Sequence, residues 1–248
     1  MRRRENSKIP AAGQEGIMQH LFQELLAQGK TNFIFIGRAG CGKSEIALNL
    51  ALAFAAETRK SVHFFDMDMT KPLFRSRDKF GNEEFEGVQF HYEVQFYDAP
   101  TLVGGVRELM RDPECIVVMD VGGDDIGARS IGGFMMRSTR SDTAIFYVLN
   151  VYRPFCADID HIDRFVAEIL AVSHIRVEEL HMIHNPNLGV TTTPEEIVEG
   201  VRRMDEILEG VKEIELVCVT EELYDSVKDQ IATESMPVRT FLTYEWLQ

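Results

Sequence analysis

Short apolar runs alternate with amphipathic segments along the chain, and this alternation predicts its secondary structure. The runs are rich in β-branched and aromatic residues, as expected of strands that are buried in a parallel sheet. Between them, apolar side chains recur every three or four positions, which indicates helices that pack one face on a sheet. The predicted strands are 33–36, 61–65, 115–119, 143–149, 179–184 and 214–219, with a short edge strand at 88–92, and the predicted helices are 14–28, 45–58, 101–111, 158–172, 194–209 and 222–230.

This order of elements predicts the fold class. The intervals between strands are long enough for crossover connections, so the pattern favours an α/β protein with a mostly parallel sheet and helices on both faces. No segment of linker composition divides the chain, and we therefore expect one domain over residues 14–248. Residues 1–13, which contain Pro10 and Gly13, are expected to form a disordered tail.

The loop between the first strand and the next helix carries the most specific motif of the chain. Its sequence, GRAGCGKS at 37–44, satisfies the phosphate-loop pattern G-x-x-x-x-G-K-[ST]. Glycines let backbone N–H groups turn towards an anion, and the following helix presents the positive end of its dipole. Lys43 is expected to reach the β- and γ-phosphates and Ser44 to hold Mg²⁺, the alternative being a glycine-rich turn without a ligand. The predicted phosphate-contacting residues are Gly37, Arg38, Ala39, Gly40, Cys41, Gly42, Lys43 and Ser44.

Acidic side chains follow two of the predicted strands, at the ends where open α/β sheets bind ligands. Asp66 and Asp68 come directly after the second strand, and Asp120 ends the third. Beside a phosphate loop, the first two favour a role in positioning water or Mg²⁺, and Asp120 fits the surroundings of Mg²⁺. A glycine after Asp120, such as Gly123, can bring a backbone N–H close to a γ-phosphate. The alternative is that both places are turns with solvated or capping carboxylates.

Composition narrows the expected partners and the compartment. The net charge of −14 argues against broad binding to nucleic acid or to an anionic membrane, so neither is expected as a partner. No apolar run approaches the roughly 20 residues that span a bilayer. The last residues, 237–248, are short and nearly neutral rather than a basic amphipathic anchor. The four cysteines are far apart and form no C-x-x-C motif, which favours reduced thiols and a cytoplasmic location.

Five segments, in order, resemble the MinD/ParA/CobQ-CobB group of P-loop NTPases, also called deviant-Walker ATPases. The loop 37–44 is similar to the group's G-K-G-G-x-G-K-[ST], and Asn49 follows in the helix as it does in many members. Residues 62–68 resemble the group's strand that ends in D-x-D, and residues 120–123 are similar to its switch II segment. Asn185 lies where members of the group often have an asparagine that contacts adenine.

Three places depart from the patterns of related nucleotide-binding proteins. Arg38 stands where the group has its signature lysine, and it keeps the charge while adding donors suited to phosphate. Ala39 replaces the group's second glycine and restricts φ at that point. The N-K-x-D base signature of GTPases is missing, with HNPN at 184–187 in its place, so ATP is favoured over GTP.

The resemblance implies a three-layer α/β/α P-loop ATPase that binds ATP and Mg²⁺ and acts as a switch. Slow hydrolysis would control a homodimer that holds nucleotide at its interface and acts on an unidentified protein client. The signature lysine of the group crosses that interface, so Arg38 is implied to reach the partner's phosphates; a contact with its own nucleotide and a solvated position stay open. The implied catalytic residues are Lys43, Asp66, Asp68, Asp120 and Arg38, the implied metal ligands are Ser44 and Asp120, and the nucleotide contacts extend from the loop to Gly123 and Asn185.

Two other classes of function remain open from the sequence. An ATP-dependent small-molecule kinase or synthetase, as found in the same group, would need a substrate cavity, for which residues 73–95 are candidates. An iron–sulfur reductase like the nitrogenase iron proteins is disfavoured, because segment 120–134 resembles their cluster segment but contains no cysteine.

Overall fold

The computed structural model describes residues 18–67, 85–91, 105–123, 127, 129 and 140–242. Within them the chain forms one sheet of eight strands, and all neighbouring strands pair in parallel. The strands are β1 (Asn32–Ile36), β2 (Ser61–Met67), β3 (Val88–His91), β4 (Cys115–Val121), β5 (Thr143–Leu149), β6 (Leu180–His184), β7 (Leu216–Thr220) and β8 (Ser235–Val238). The helices are α1 (His20–Ala27), α2 (Lys43–Glu57), α3 (Val106–Leu109), α4 (Ile159–Ser173), α5 (Pro194–Leu208) and α6 (Glu221–Val227).

The order of the strands places the phosphate-loop motif at the middle of the sheet. Across the sheet the strands follow the order β3-β2-β4-β1-β5-β6-β7-β8. Strands β2 to β4 therefore lie on one side of β1, and β5 to β8 lie on the other. The carboxyl end of β1 is thus a topological switch point, where open α/β sheets leave a crevice for ligands. The motif at residues 37–44 begins at this point.

Helices cover both faces of the sheet, so the molecule has three layers. On one face, α1 and α2 pack against side chains such as Phe33 and Phe146. On the other face, α3, α4, α5 and α6 pack against side chains such as Ile34, Tyr147 and Met119. Every residue of β1, β4 and β5 is buried, which explains why these strands appear in the sequence as continuous apolar runs. The predicted α/β class with helices on both faces is confirmed.

Several local predictions agree with the structure. The helix predicted at 194–209 begins with Pro194 and a capping box, in which Thr193 Oγ1 accepts from Glu196 N and Glu196 Oε2 accepts from Thr193 N, at 3.3 and 2.8 Å. The cysteines are all buried and form no disulfide. Within the described ranges, no helix combines the length and apolarity that crossing a membrane requires.

Other predictions differ from the structure in ways that have physical reasons. Strands β2 and β4 extend further than predicted, so that Asp66 and Asp120 lie within strands and not after them. The helix predicted at 101–111 is reduced, in its described part, to α3 (Val106–Leu109), whose N-cap, Gly105, has a left-handed conformation. Strand β8 was not predicted because it contains Pro237, which is tolerated there because β8 is an edge strand. Residues 1–13, Asp68 and most of segment 73–95 lie outside the described residues.

Candidate functional site

The loop at residues 37–44 depends on three glycines in left-handed conformations. Gly37, Gly40 and Gly42 have φ values of 137°, 80° and 97°. A side chain at Gly37 would place its Cβ 2.5 Å from the Val148 carbonyl oxygen, so the loop passes tightly against β5. Gly42 is the N-cap of α2, and the loop therefore enters the helix directly. This geometry requires glycine at the positions where the phosphate-loop pattern has it.

Lys43 and Ser44 form the start of α2 and lie inside the protein. Lys43 is 0% exposed, yet its Nζ has no hydrogen-bond partner among the described residues. Ser44 is 6% exposed, and its hydroxyl donates a hydrogen bond to Oδ2 of Asp120. A buried ammonium group without a partner is costly, and it suits a site that an anion completes. Lys43 is thus a buried charge at the predicted phosphate site.

Asp66 and Asp120 bring two carboxylates to the same place. They are register partners on the neighbouring strands β2 and β4, and they are 2% and 1% exposed. Together with the Ser44 hydroxyl, they form a set of oxygen donors close to the start of α2. Hard oxygen donors of this kind suit Mg²⁺, so the residues present fit the metal that the sequence predicts. Asp68, the other predicted carboxylate, lies outside the described residues.

The segment after β4 packs directly on the loop. A Cβ at Gly123 would lie 2.6 Å from Ala39 N and 2.6 Å from the Gly37 carbonyl oxygen. Any side chain at this position would therefore push the loop away from the end of β4. The structure places Gly123 against the loop, and the predicted contact of its N–H with a nucleotide remains a prediction.

Asn185 also reaches the loop, from the carboxyl end of β6. Its Nδ2 donates a hydrogen bond of 2.9 Å to the carbonyl oxygen of Cys41, and a Cβ at Gly42 would lie 2.1 Å from the same nitrogen. The backbone N–H of Asn185 donates to the Leu149 carbonyl oxygen, which fixes the residue beside β5. The implied adenine contact remains a prediction; the contact present in the structure is with the loop backbone.

Arg38 lies against helix α4. Its guanidinium carbon is 4.4 Å from the ring centroid of Phe165, and that of Arg164 is 4.6 Å from the same centroid. Contacts of this kind are cation–π interactions, and they hold a guanidinium only weakly at a partly exposed site. Ala39 and Gly40, which follow in the loop, are exposed.

Arg153 is a site residue that the sequence analysis did not identify. It lies in the turn after β5, and its Nε donates a hydrogen bond of 3.0 Å to the carbonyl oxygen of Gly40. The sequence does show that Arg153 follows a predicted strand, and residues in that position lie at the edge of the sheet where ligands bind. It does not show that β5 is the neighbour of β1, which is what brings Arg153 to the loop.

Two titratable groups close to the carboxyl ends of the strands are held neutral by burial. His184, at the end of β6, is 0% exposed, and burial lowers its pKa to about 3. Its Nε2 accepts a hydrogen bond of 3.4 Å from the backbone N–H of Val151. Burial also raises the pKa of the Cys156 thiol to about 12. Neither group contributes charge to the loop near neutral pH.

Comparisons with known proteins give a distant structural similarity. No protein-family model matches the sequence. No curated protein matches it either. Among solved structures, the chain is similar to the one described as the crystal structure of FlhF complexed with GMPPNP/Mg(2+), with 14% sequence identity and a TM-score of 0.45. The match covers 78% of this chain and 72% of that chain, and at this level it establishes no shared family or activity.

Proposed function

We propose that this protein is a P-loop ATPase that binds ATP and Mg²⁺ at the loop 37–44. The observation that carries the proposal is Lys43, which is 0% exposed and has no hydrogen-bond partner for its Nζ among the described residues. A bound polyphosphate supplies the negative charge that a buried ammonium group needs. The glycines of the loop and the N-terminus of α2 supply backbone donors for the same anion.

The metal is assigned to Ser44 and Asp120. Their hydrogen bond, and the position of Asp66 beside Asp120, collect oxygen donors at the start of α2. Bound there, Mg²⁺ would supply positive charge to the β- and γ-phosphates and orient them. The proposed role of the Asp66 carboxylate is to hold a water or the metal, and its support is that Asp66 is the register partner of Asp120. The sequence leaves this role open between Asp66 and Asp68.

The proposed output is a nucleotide-dependent dimerisation switch of the MinD/ParA type that acts on a protein client. The support for it is the sequence resemblance, together with the exposed apex of the loop and the position of Arg38 at its edge. ATP is preferred because residues 184–187, HNPN, lack the base signature of GTPases. The alternative function is that of a small-molecule kinase or synthetase. A metabolite that stimulates ADP formation by the protein would favour this alternative over the switch.

Lys43→Met provides the first test, since methionine keeps the volume and removes the charge. We expect the variant to lose measurable ATP binding by calorimetry with Mg²⁺, whereas the parent should bind ATP more tightly than GTP. Removing an unpartnered buried charge should also stabilise the nucleotide-free protein by about 1 kcal/mol or more, which is a rise of roughly 2–4 °C in Tm. Such a rise in Tm would show that the variant is folded, so a loss of ATP binding could be attributed to the missing charge of Lys43 and not to unfolding.

Lys60→Met is the matched control for that test. Lys60 Nζ donates to the Pro113 carbonyl oxygen at 2.7 Å. Lys60 directly precedes β2, so it lies where the amino ends of the strands meet, on the opposite side of the sheet from the loop. The Lys60→Met variant should bind ATP like the parent. ATP binding by Lys43→Met at the parent affinity would remove the assignment of the loop.

A further inference from the structure

We propose that Arg153 is a positioning residue of the phosphate loop, which it holds in its binding conformation through the carbonyl oxygen of Gly40. This inference rests on the proposed function, in which the loop binds phosphates. Arg153 comes from the turn after β5 and is far from the loop in sequence, since it lies 113 positions after Gly40. It therefore links two elements that the sheet brings together.

The loop needs a restraint from outside. Three of its eight residues are glycines with positive φ, and glycine loses more conformational freedom on ordering than any other residue. Ala39 and Gly40 at its apex are exposed. Within the apex, the backbone hydrogen bond among described residues runs from Cys41 N to the Arg38 carbonyl oxygen, at 3.3 Å. One long hydrogen bond is a weak restraint for a segment of this composition.

Arg153 restrains one peptide plane of this apex. Its Nε donates to the Gly40 carbonyl oxygen at 3.0 Å. Because a trans peptide is planar, its C=O and N–H point in opposite directions, and fixing the Gly40 carbonyl also fixes the N–H of Cys41. That N–H is the donor of the 3.3 Å hydrogen bond to the Arg38 carbonyl oxygen, so the contact from Arg153 also supports the turn that closes the apex.

The next peptide plane is restrained in the same way by Asn185. Its Nδ2 donates to the carbonyl oxygen of Cys41 at 2.9 Å, which turns the N–H of Gly42 to the opposite side. Two consecutive carbonyl groups of the loop are thus held from outside, one by a residue that follows β5 and one by a residue that follows β6.

Arg153 is itself held firmly enough to act as a restraint. Its backbone N–H donates to the carbonyl oxygen of Asn150 at 2.9 Å, and its carbonyl oxygen accepts from Cys156 N at 2.9 Å. Asn150 is 1% exposed, and its Nδ2 donates to the Asn187 carbonyl oxygen while its Oδ1 accepts from Tyr152 N. The turn that carries Arg153 is therefore tied to both β5 and the segment after β6.

A residue that orders the loop should raise the affinity for every nucleotide whose phosphates the loop binds. The loop cradles the β-phosphate, which ADP and ATP share, so the loss of Arg153 should weaken both nucleotides by the same factor. A residue that touched the terminal phosphate would instead weaken ATP alone. The comparison of the two nucleotides thus separates positioning from direct contact.

The first experiment measures the affinities of the full chain for ADP and for a non-hydrolysable ATP analogue by calorimetry with Mg²⁺. Loss of one hydrogen bond from a charged donor predicts that Arg153→Ala binds both about tenfold more weakly. Arg153→Lys retains a cationic donor that can reach one bond beyond the Nε position, and it should recover most of the affinity. The control is Arg176→Ala, which removes a cation at the opposite edge of the sheet, where Arg176 Nε pairs with Glu179 at 3.2 Å.

The second experiment measures amide hydrogen exchange over residues 37–44 in the absence of nucleotide. Arg153→Ala should exchange faster there than the parent, with β5 and α4 unchanged. An unchanged exchange rate, an unchanged affinity, a loss confined to the ATP analogue, or no recovery in Arg153→Lys would each overturn the proposal. If the parent binds neither nucleotide, the proposed function fails, and the exchange measurement still decides the role of Arg153.

Discussion

At the scale of single residues, buried polar groups mark the candidate site. Lys43 is the charged member among the largest fully buried side chains of the described residues, whose other members are aromatic or aliphatic. Asp66 and Asp120 are buried carboxylates in strands β2 and β4, and each lies between two buried apolar neighbours along its strand. Polar groups in such places reduce stability unless they are satisfied, so their presence in the middle of a core indicates a function.

His184 gives a prediction for the dependence of stability on pH. Its pKa is about 3 in the folded protein against 6.5 for the ordinary group, because burial disfavours the charged form. The unfolded chain therefore takes up a proton at this residue below about pH 6.5, whereas the folded chain does so only near pH 3. The contribution of His184 to stability is present above pH 6.5 and is lost as the pH falls.

We expect His184→Gln to lose about 2 kcal/mol less than the parent when the pH is lowered from 7 to 5. Urea denaturation at the two pH values measures this difference. Glutamine keeps an acceptor for the Val151 N–H and does not titrate. Equal losses for the parent and His184→Gln would show that His184 is not buried as the neutral form.

At the scale of elements, α2 is the helix that joins the loop to the rest of the chain. Its Asn49 pairs with the backbone of Arg239, with Nδ2 donating to the carbonyl oxygen at 2.8 Å and Oδ1 accepting from the N–H at 2.9 Å. One turn earlier, the Glu45 carboxylate accepts from Phe241 N and Leu242 N, both at 2.8 Å. The side chains of α2 thus provide hydrogen bonds for the segment after the edge strand β8.

Asn49→Ala should destabilise the protein because it removes three side-chain hydrogen bonds, two with the backbone of Arg239 and one to the carbonyl oxygen of Glu45. We expect a loss of about 1–3 kcal/mol in the free energy of unfolding, measured by urea denaturation. Asp163→Ala, a substitution on the exposed surface of α4, is the control and should change stability by less than about 0.5 kcal/mol. If Asn49→Ala were as stable as the parent, the pairing with Arg239 would contribute nothing to the fold.

At the scale of the whole molecule, the role of Arg38 depends on whether a second copy of the chain is needed. In the structure its guanidinium stacks on Phe165 of the same chain at 4.4 Å, so a role in trans requires it to leave that ring. If it acts on a partner's nucleotide, ATPase activity per subunit should rise with protein concentration. Arg38→Ala should lose this rise and the dimer formed with a non-hydrolysable ATP analogue, and it should still bind nucleotide.

Mixing Arg38→Ala with Lys43→Met tests the same role of Arg38 in a second way. Each mixed dimer contains one intact combination of a nucleotide-binding subunit and a partner arginine, so partial hydrolysis should return. Where an arginine acts in trans on a transferred phosphate, it changes the rate by orders of magnitude, so the recovery should be easy to measure. A mixture no more active than its components would count against the trans role and favour the monomeric kinase or synthetase.

The overall fold followed from the sequence because parallel strands such as β1 and β5 are buried on both faces and stand out as apolar runs. The strand order did not follow, since nothing in the apolar pattern shows that β4 inserts between β1 and β2. The loop was predictable because its spacing, glycines and lysine are local in sequence. Arg153 and the contact of Asn185 with the loop were not, because they depend on which strand ends meet in space.

The pairing of α2 with the end of the sheet has a consequence for how the protein is made. Asn49 and Arg239 are 190 positions apart, and Glu45 and Leu242 are 197 apart. During synthesis, the helix that begins at the phosphate loop emerges long before the residues that complete its hydrogen bonds. Contacts of such long range form late and slow the folding of a chain. The candidate nucleotide site therefore stays without these hydrogen bonds until nearly all of the sheet has left the ribosome.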